Sequence, residues 1–182
     1  YYIHPSTSIN WPTAAGELLN TYKPTDYEQE WVESVFNTLD NFLKIDFTRT
    51  YNENSADIRC YAATNRSVEK NTNRYDVAGY VNEIGLINGP ISLVINYVYK
   101  WLPGDVMAKT FVHELGHALG LTHPTINGKD DPENKRWNND DTIMSYNHTD
   151  NWGFTDLDLY ALQEIWGTEY MQASNNAPTK TN

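Results

Sequence analysis

Three of the chain's 5 histidines fall within eleven residues, His113-Glu114-Leu115-Gly116-His117-Ala118-Leu119-Gly120-Leu121-Thr122-His123. Imidazoles four residues apart leave the same face of a helix, one turn above the other. Two ring nitrogens at that spacing can grip one Zn²⁺, while Glu114 projects beside the metal rather than onto it. Gly120 can take a positive φ, which ends the helix and turns the chain back, so that His123 arrives as a third ligand. Three neutral imidazoles leave the fourth position of a tetrahedral zinc for water, the mark of a catalytic rather than a closed structural site. With 5 His, 10 Gly and 11 Glu in 182 residues, HExxHxxGxxH arises by chance on the order of once in 10⁵ such chains. The alternative is an amphipathic core helix whose histidines align by accident. It leaves the Glu and the Gly unexplained.

A helix must carry this segment. The sequence predicts one from an Asp105 N-cap through Phe111, Val112, Leu115 and Leu119 to Gly120 as C′ residue. Another is predicted over 26–43: Thr25-Asp26-Tyr27-Glu28 is a capping box, and Trp31, Val32, Val35, Phe36, Leu39, Phe42 and Leu43 follow at i, i+3/i+4 spacing. A third starts at Thr155, with Asp158 at the N3 position, and stops at Gly167; the pattern predicts that it buries Leu157, Ala161, Leu162, Ile165 and Trp166. Runs at 44–50, 56–62, 77–81 and 91–99 read as strands, the last being the richest in β-branched and aromatic residues. The Asn-rich stretch 64–75 and the acidic stretch 127–141 read as loops. Helix, several strands, helix, long loop and helix together predict an α+β domain with a mixed sheet over 1–171, followed by a polar tail or linker at 172–182.

Composition narrows the partners. At 182 residues one domain is the expectation. There are 24 acidic side chains against 13 Lys+Arg, a formal charge of −11. That balance argues against nucleic acid and anionic membranes, both of which need basic patches. No apolar run approaches the roughly 18 residues of a membrane span. A single cysteine, Cys60, excludes an internal disulfide and, inside a strand-like run, reads as a small core residue. Asp130, Asp131, Asp140 and Asp141 could offer oxygens to Ca²⁺, but their spacing matches no calcium loop, so a solvated acidic loop is the reading. His4 and His148 read as surface or locally bonded residues.

Downstream of the histidines, Thr142-Ile143-Met144-Ser145-Tyr146 has the pattern of a Met-turn, which in metzincin proteases packs beneath the zinc. Pro124 follows the third histidine, and Tyr146 stands two after the methionine. In these features the chain resembles the serralysin family, secreted bacterial zinc endopeptidases. The resemblance extends to Ala56-Asp57-Ile58, Ala78-Gly79-Tyr80, Lys109-Thr110-Phe111 and the run from Leu157-Asp158-Leu159-Tyr160 to Ile165-Trp166-Gly167, covering about 57–167. The glycine-rich nonapeptide repeats that bind Ca²⁺ in the family do not occur within these 182 residues: either they lie outside them or this member has none.

The resemblance implies a metzincin-like zincin: a twisted mixed sheet with an antiparallel edge strand, the active-site helix, and a C-terminal helix after the Met-turn. It implies His113, His117 and His123 as zinc ligands and Tyr146 as a fifth ligand that swings to the oxyanion when substrate binds. It implies a monomer outside a bacterial cell, acting on protein or peptide substrates and open to a proteinaceous inhibitor. Substrate would pair with the edge strand at 77–81, and the loop between His123 and Met144 would wall the leaving-group side of the cleft. Glu114 is placed to act as general base toward a zinc-activated water. Two rival readings differ in function: a non-catalytic zinc-containing module that binds polypeptide, and a metzincin restricted to one dedicated protein target. An intact Glu114 speaks against the first, since a structural site has no use for a base.

Overall fold

Strand β4 (Ile58–Ala63) is buried at every position and lies inside a six-stranded sheet. The computed structural model describes residues 1–12, 18–63, 79–82, 90–96, 105–126, 129–130 and 135–169. The sheet order is β2 (Ser8–Pro12), β3 (Leu18–Tyr22), β4, β6 (Ile91–Asn96) and β5 (Gly79–Asn82), with β1 (Tyr2–Ile3) pairing β4 as well. β4 runs parallel to β1 and β6, whereas β2–β3, β3–β4 and β5–β6 are antiparallel. The sheet is therefore mixed, and among the described strands β2 and β5 are its edges, each antiparallel to its neighbour. A two-residue pair, β7 (Thr125–Ile126) and β8 (Lys129–Asp130), stands apart.

A strand buried on both faces needs apolar side chains in both directions. On one face of β4, Ile58 and Cys60 join Ile3, Leu93 and Ile95 in the main core. Helix α1 (Asp26–Asp40) adds Phe36 and Leu39, and helix α2 (Asp105–Ala118) adds Phe111, Val112, Leu115 and Ala118. Helix α3 (Asp156–Trp166) contributes Leu162. Each Leu or Phe so buried is worth about 2 kcal/mol relative to exposure. On the opposite face Tyr61, Ala63, Val94 and Leu19 form a second cluster. Helix α2 lies across β6 and β5, which fixes it against the sheet edge.

The capping boxes at Thr25/Glu28 and Thr155/Asp158 both form. Helix α1 ends at Asp40 rather than at 43, because Asn41 caps it and Leu43 turns inward to bridge Thr168. Two expectations are corrected. Residues 44–50 pair with no strand: their backbone is satisfied by Gly167, the Asp40 carboxylate and Tyr1 instead, while Ile45 and Phe47 lean on the core. Helix α3 does not bury Leu157, Ile165 and Trp166, which are 47%, 50% and 40% exposed. Its inner face is set by Asp158 and Leu162, because the Asp158 carboxylate is drawn into the turn that holds Met144. The strands β1 to β3 had no clear pattern to announce them, being short and, in β2, closed by a proline. The loop 64–75, residues 77–78 and 97–99 of two expected strands, and the tail 172–182 lie outside the described residues. Among those described, no helix is long and apolar enough to cross a membrane.

Candidate metal centre

Helix α2 presents His113 and His117 one turn apart, with ring centroids separated by 4.8 Å. The helix then closes in a Schellman turn. Leu121 N–H donates to Gly116 O at 2.9 Å and Gly120 N–H to His117 O at 3.0 Å, with Gly120 at φ 103°. That reversal brings His123 back toward its two neighbours. His123 Nε2 stands 3.1 Å from His113 Nε2 and 3.0 Å from His117 Nε2. The three histidines lie close enough together to bind one metal ion, and among the described residues this is the group of His, Cys, Asp or Glu side chains that does so.

The outer nitrogens decide which atoms face inward. His113 Nδ1 donates to Ile143 O at 2.9 Å, and His117 Nδ1 donates to Leu121 O at 3.0 Å. With the proton held on Nδ1, each neutral ring turns a bare Nε2 lone pair toward the centre. Burial pushes the His113 imidazole down to about 4, against the smaller opposing effect of the Ile143 carbonyl. It is therefore neutral at any ordinary pH. His123 Nε2 stands close enough to both that a proton or a cation must lie between it and their lone pairs.

Glu114 is buried against β5, and burial pushes its carboxyl up to about 8. A Cβ on Gly79 would lie 3.2 Å from Glu114 Cγ, 2.7 Å from Thr110 Cγ2 and 3.1 Å from Ile95 Cδ1. Only glycine lets the edge strand approach the helix this closely at Glu114. Below the ligands, Met144 is buried, with its sulfur where a Cβ on Gly116 would be, at 2.5 Å. Tyr146 follows on the same turn, 45% exposed, its ring centroid 4.3 Å from that of His123 and 5.4 Å from that of His113. Of the five site residues read from the sequence, the three histidines and Tyr146 come together at one end of α2, while Glu114 follows His113 in the chain and packs against Gly79 of β5.

Three contributors escaped the sequence reading. The Ile143 carbonyl acts as backbone, so no side-chain motif announces it. Asp158 was legible only as a helix cap, yet its buried carboxylate accepts from Thr142 Oγ1 at 2.5 Å, Ile143 N at 2.9 Å, Thr155 N at 2.8 Å and Thr155 Oγ1 at 2.9 Å. Buried Asn139 donates through Nδ2 to Ser145 O at 2.6 Å and holds the same turn from the other side. The acids Asp140 and Asp141 cap their own loop, accepting from Thr149 Oγ1 and Asn138 N. Asp131 lies outside the described residues. His148 is exposed and bonded to Asn139, whereas His4 is buried between Tyr2 and Ser6. Cys60 is a core residue with a free thiol. No protein-family model matches the chain, and no curated protein matches it.

Proposed function

We propose that the chain is a zinc-dependent endopeptidase, a metzincin-like catalytic domain similar to serralysins, that hydrolyses peptide bonds in extended polypeptides. The observation that carries this reading is the convergence of three Nε2 atoms, two with their tautomer fixed by a carbonyl, beside a buried glutamate. A tetrahedral zinc with Zn–N bonds of about 2.0–2.1 Å has ligand–ligand edges of about 3.3–3.4 Å. Separations of 3.0 and 3.1 Å need only a slight opening to meet that edge. An all-nitrogen donor set suits zinc far better than Ca²⁺ or Mg²⁺, which take oxygens.

His113, His117 and His123 would hold the metal, which when bound would supply a water acidified toward neutral pH and polarise the carbonyl under attack. Glu114 accepts the proton of the attacking water and passes it to the leaving amine. Burial raises the Glu114 carboxyl, and a cation held by the neighbouring histidines would favour the ionised form a base requires. Tyr146, reaching in from the turn after Met144, donates a hydrogen bond to the oxygen that gains charge. The outer edge of β5 offers backbone groups to an extended substrate, which adds as a strand and gains affinity with little regard to side chains. An acidic protein of this kind acts alone, outside the cell, on other polypeptides.

The test is elemental analysis for zinc together with cleavage of an unfolded polypeptide by the native chain, by Glu114→Ala and after chelation. The expected result is about one zinc per chain, retained in Glu114→Ala, with cleavage abolished by the substitution and by chelation. Zinc without cleavage of any unfolded polypeptide would favour a binding module instead. Failure of the purified chain to take up zinc would overturn the proposal.

A further inference from the structure

Away from the histidines, the three helices and the segment 150–154 enclose a cleft of about 380 Å³. Its apolar walls are Trp31 and Val35 from α1, Val112 from α2, Trp152 and Phe154 from the segment, and Leu159 from α3. None of the metal-centre side chains lines it. Asp150 does, and it is exposed at the mouth. Among the described residues the ion pairs are Arg49–Glu33 and Arg59–Glu53, so Asp150 forms none of them; the Lys109 ammonium next to it donates through Nζ to the Thr149 carbonyl at 2.5 Å. Trp152 remains 50% exposed, a large apolar surface left in water. Beside it a Cβ on Gly153 would meet nothing within 4 Å, so the mouth opens to solvent.

Each part of this lining excludes some occupants. An anion would meet Asp150 and a chain of formal charge −11. A neutral apolar group would fill the walls but leave the carboxylate partly desolvated and unpaired, which costs free energy. A cation on an apolar stem satisfies both, because indole and phenyl faces attract positive charge. Among biological cations the guanidinium is planar and weakly hydrated, stacks on aromatic rings, and meets a carboxylate through two N–H groups. An ammonium does none of these as well. Sites for free small molecules bury roughly 70–90% of the ligand, whereas this cleft is open at Trp152, as suits a side chain carried in on a longer chain.

We infer that the cleft docks an arginine side chain of a polypeptide partner, the guanidinium meeting the Trp31 and Trp152 rings and the Asp150 carboxylate. The inference stands on the lining of the cleft and is independent of the metal centre. It is tested by titrating the ¹⁵N-labelled native chain with N-acetylarginine methylamide and following the indole N–H signals, with Trp152 assigned by Trp152→Phe. The expected result is saturable shifts of the Trp31 and Trp152 signals. N-acetylcitrulline methylamide, the neutral isostere, should bind about tenfold more weakly, the sum of one exposed ion pair and one cation–π contact. Asp150→Asn should weaken arginine about threefold, leaving the cation–π share of its advantage over citrulline, and Trp152→Ala should weaken both probes. Equal binding of the two probes, shifts confined to the other four of the 6 tryptophans, or no shift at tens of millimolar would each overturn the inference.

Discussion

Asp158 makes no hydrogen bond to any of the three clustered histidines, yet it should control how well they could hold a metal. Its carboxylate fixes Ile143 N–H at 2.9 Å, and the carbonyl of the same residue accepts from His113 Nδ1 at 2.9 Å. Asp158→Asn keeps the volume and one acceptor oxygen but removes the charge from four hydrogen bonds. A hydrogen bond to a charged group contributes about 1.5–3 kcal/mol against about 1 for a neutral one. Four bonds sharing one carboxylate are not additive, so the expected loss of stability is about 2–4 kcal/mol. Urea unfolding of the metal-free chain measures it. The second readout is metal affinity, by competition with a chromophoric chelator. Loosening a histidine's outer partner costs roughly 10–100-fold in affinity. Leu157→Ala, next door but half exposed, should change stability by no more than about 0.5 kcal/mol and leave affinity alone. If Asp158→Asn lowers stability while metal affinity stays within about threefold of native, the carboxylate serves the fold only and the reasoning fails.

Gly79→Ala should lower peptide cleavage without lowering metal content, because the new Cβ presses on Thr110 and on Glu114 rather than on a ligand. Overpacking of this kind costs about 1–3 kcal/mol, and an unchanged rate would refute the assigned close approach. Gly120→Ala forces an L side chain to φ 103° and should cost about 1–2 kcal/mol while weakening metal binding through His123; unaltered affinity would count against the turn's role. In the metal-free chain, the folded His113 stays neutral down to about 4 whereas an unfolded imidazole protonates near 6.5, so stability falls as pH drops through that window, by on the order of 3 kcal/mol. Glu114 does the reverse: the folded carboxyl keeps its proton up to about 8, the unfolded one ionises near 4.5, and stability falls as pH rises between them. Metal-free Glu114→Gln should therefore lose the alkaline-side decline in its urea midpoint and keep the acid-side one; persistence of the first would refute the assignment.

The three-histidine cluster was legible because its members are local. His113, His117 and His123 are separated by one helical turn and one glycine-centred reversal, both of which have sequence signatures. Helix α1 and both capping boxes were legible for the same reason. What escaped was set by distant partners. The inner face of α3 follows from Asp158 reaching back sixteen residues to Thr142, a pull that overrides the apolar pattern of Leu157, Ile165 and Trp166. The run 44–50 has strand-like composition, but its backbone groups find distant partners in Gly167, the Asp40 carboxylate and Tyr1 instead of a strand. The role of Ile143 belongs to a backbone carbonyl, which any residue type would supply.

The lone thiol in the middle of the sheet gives the molecule a built-in clock. Cys60 lies in β4, with β1 and β6 pairing directly at its position, and burial pushes its thiol up to about 12. A thiol reagent reaches it only when the sheet itself opens, so the alkylation rate measures the open fraction of the whole domain. A metal that binds the folded chain alone divides that fraction by 1 + [L]/Kd. At a free concentration a hundred times Kd, alkylation should slow about a hundredfold. Cys60, which contacts none of the three histidines, thereby reports their affinity without any substrate being cut.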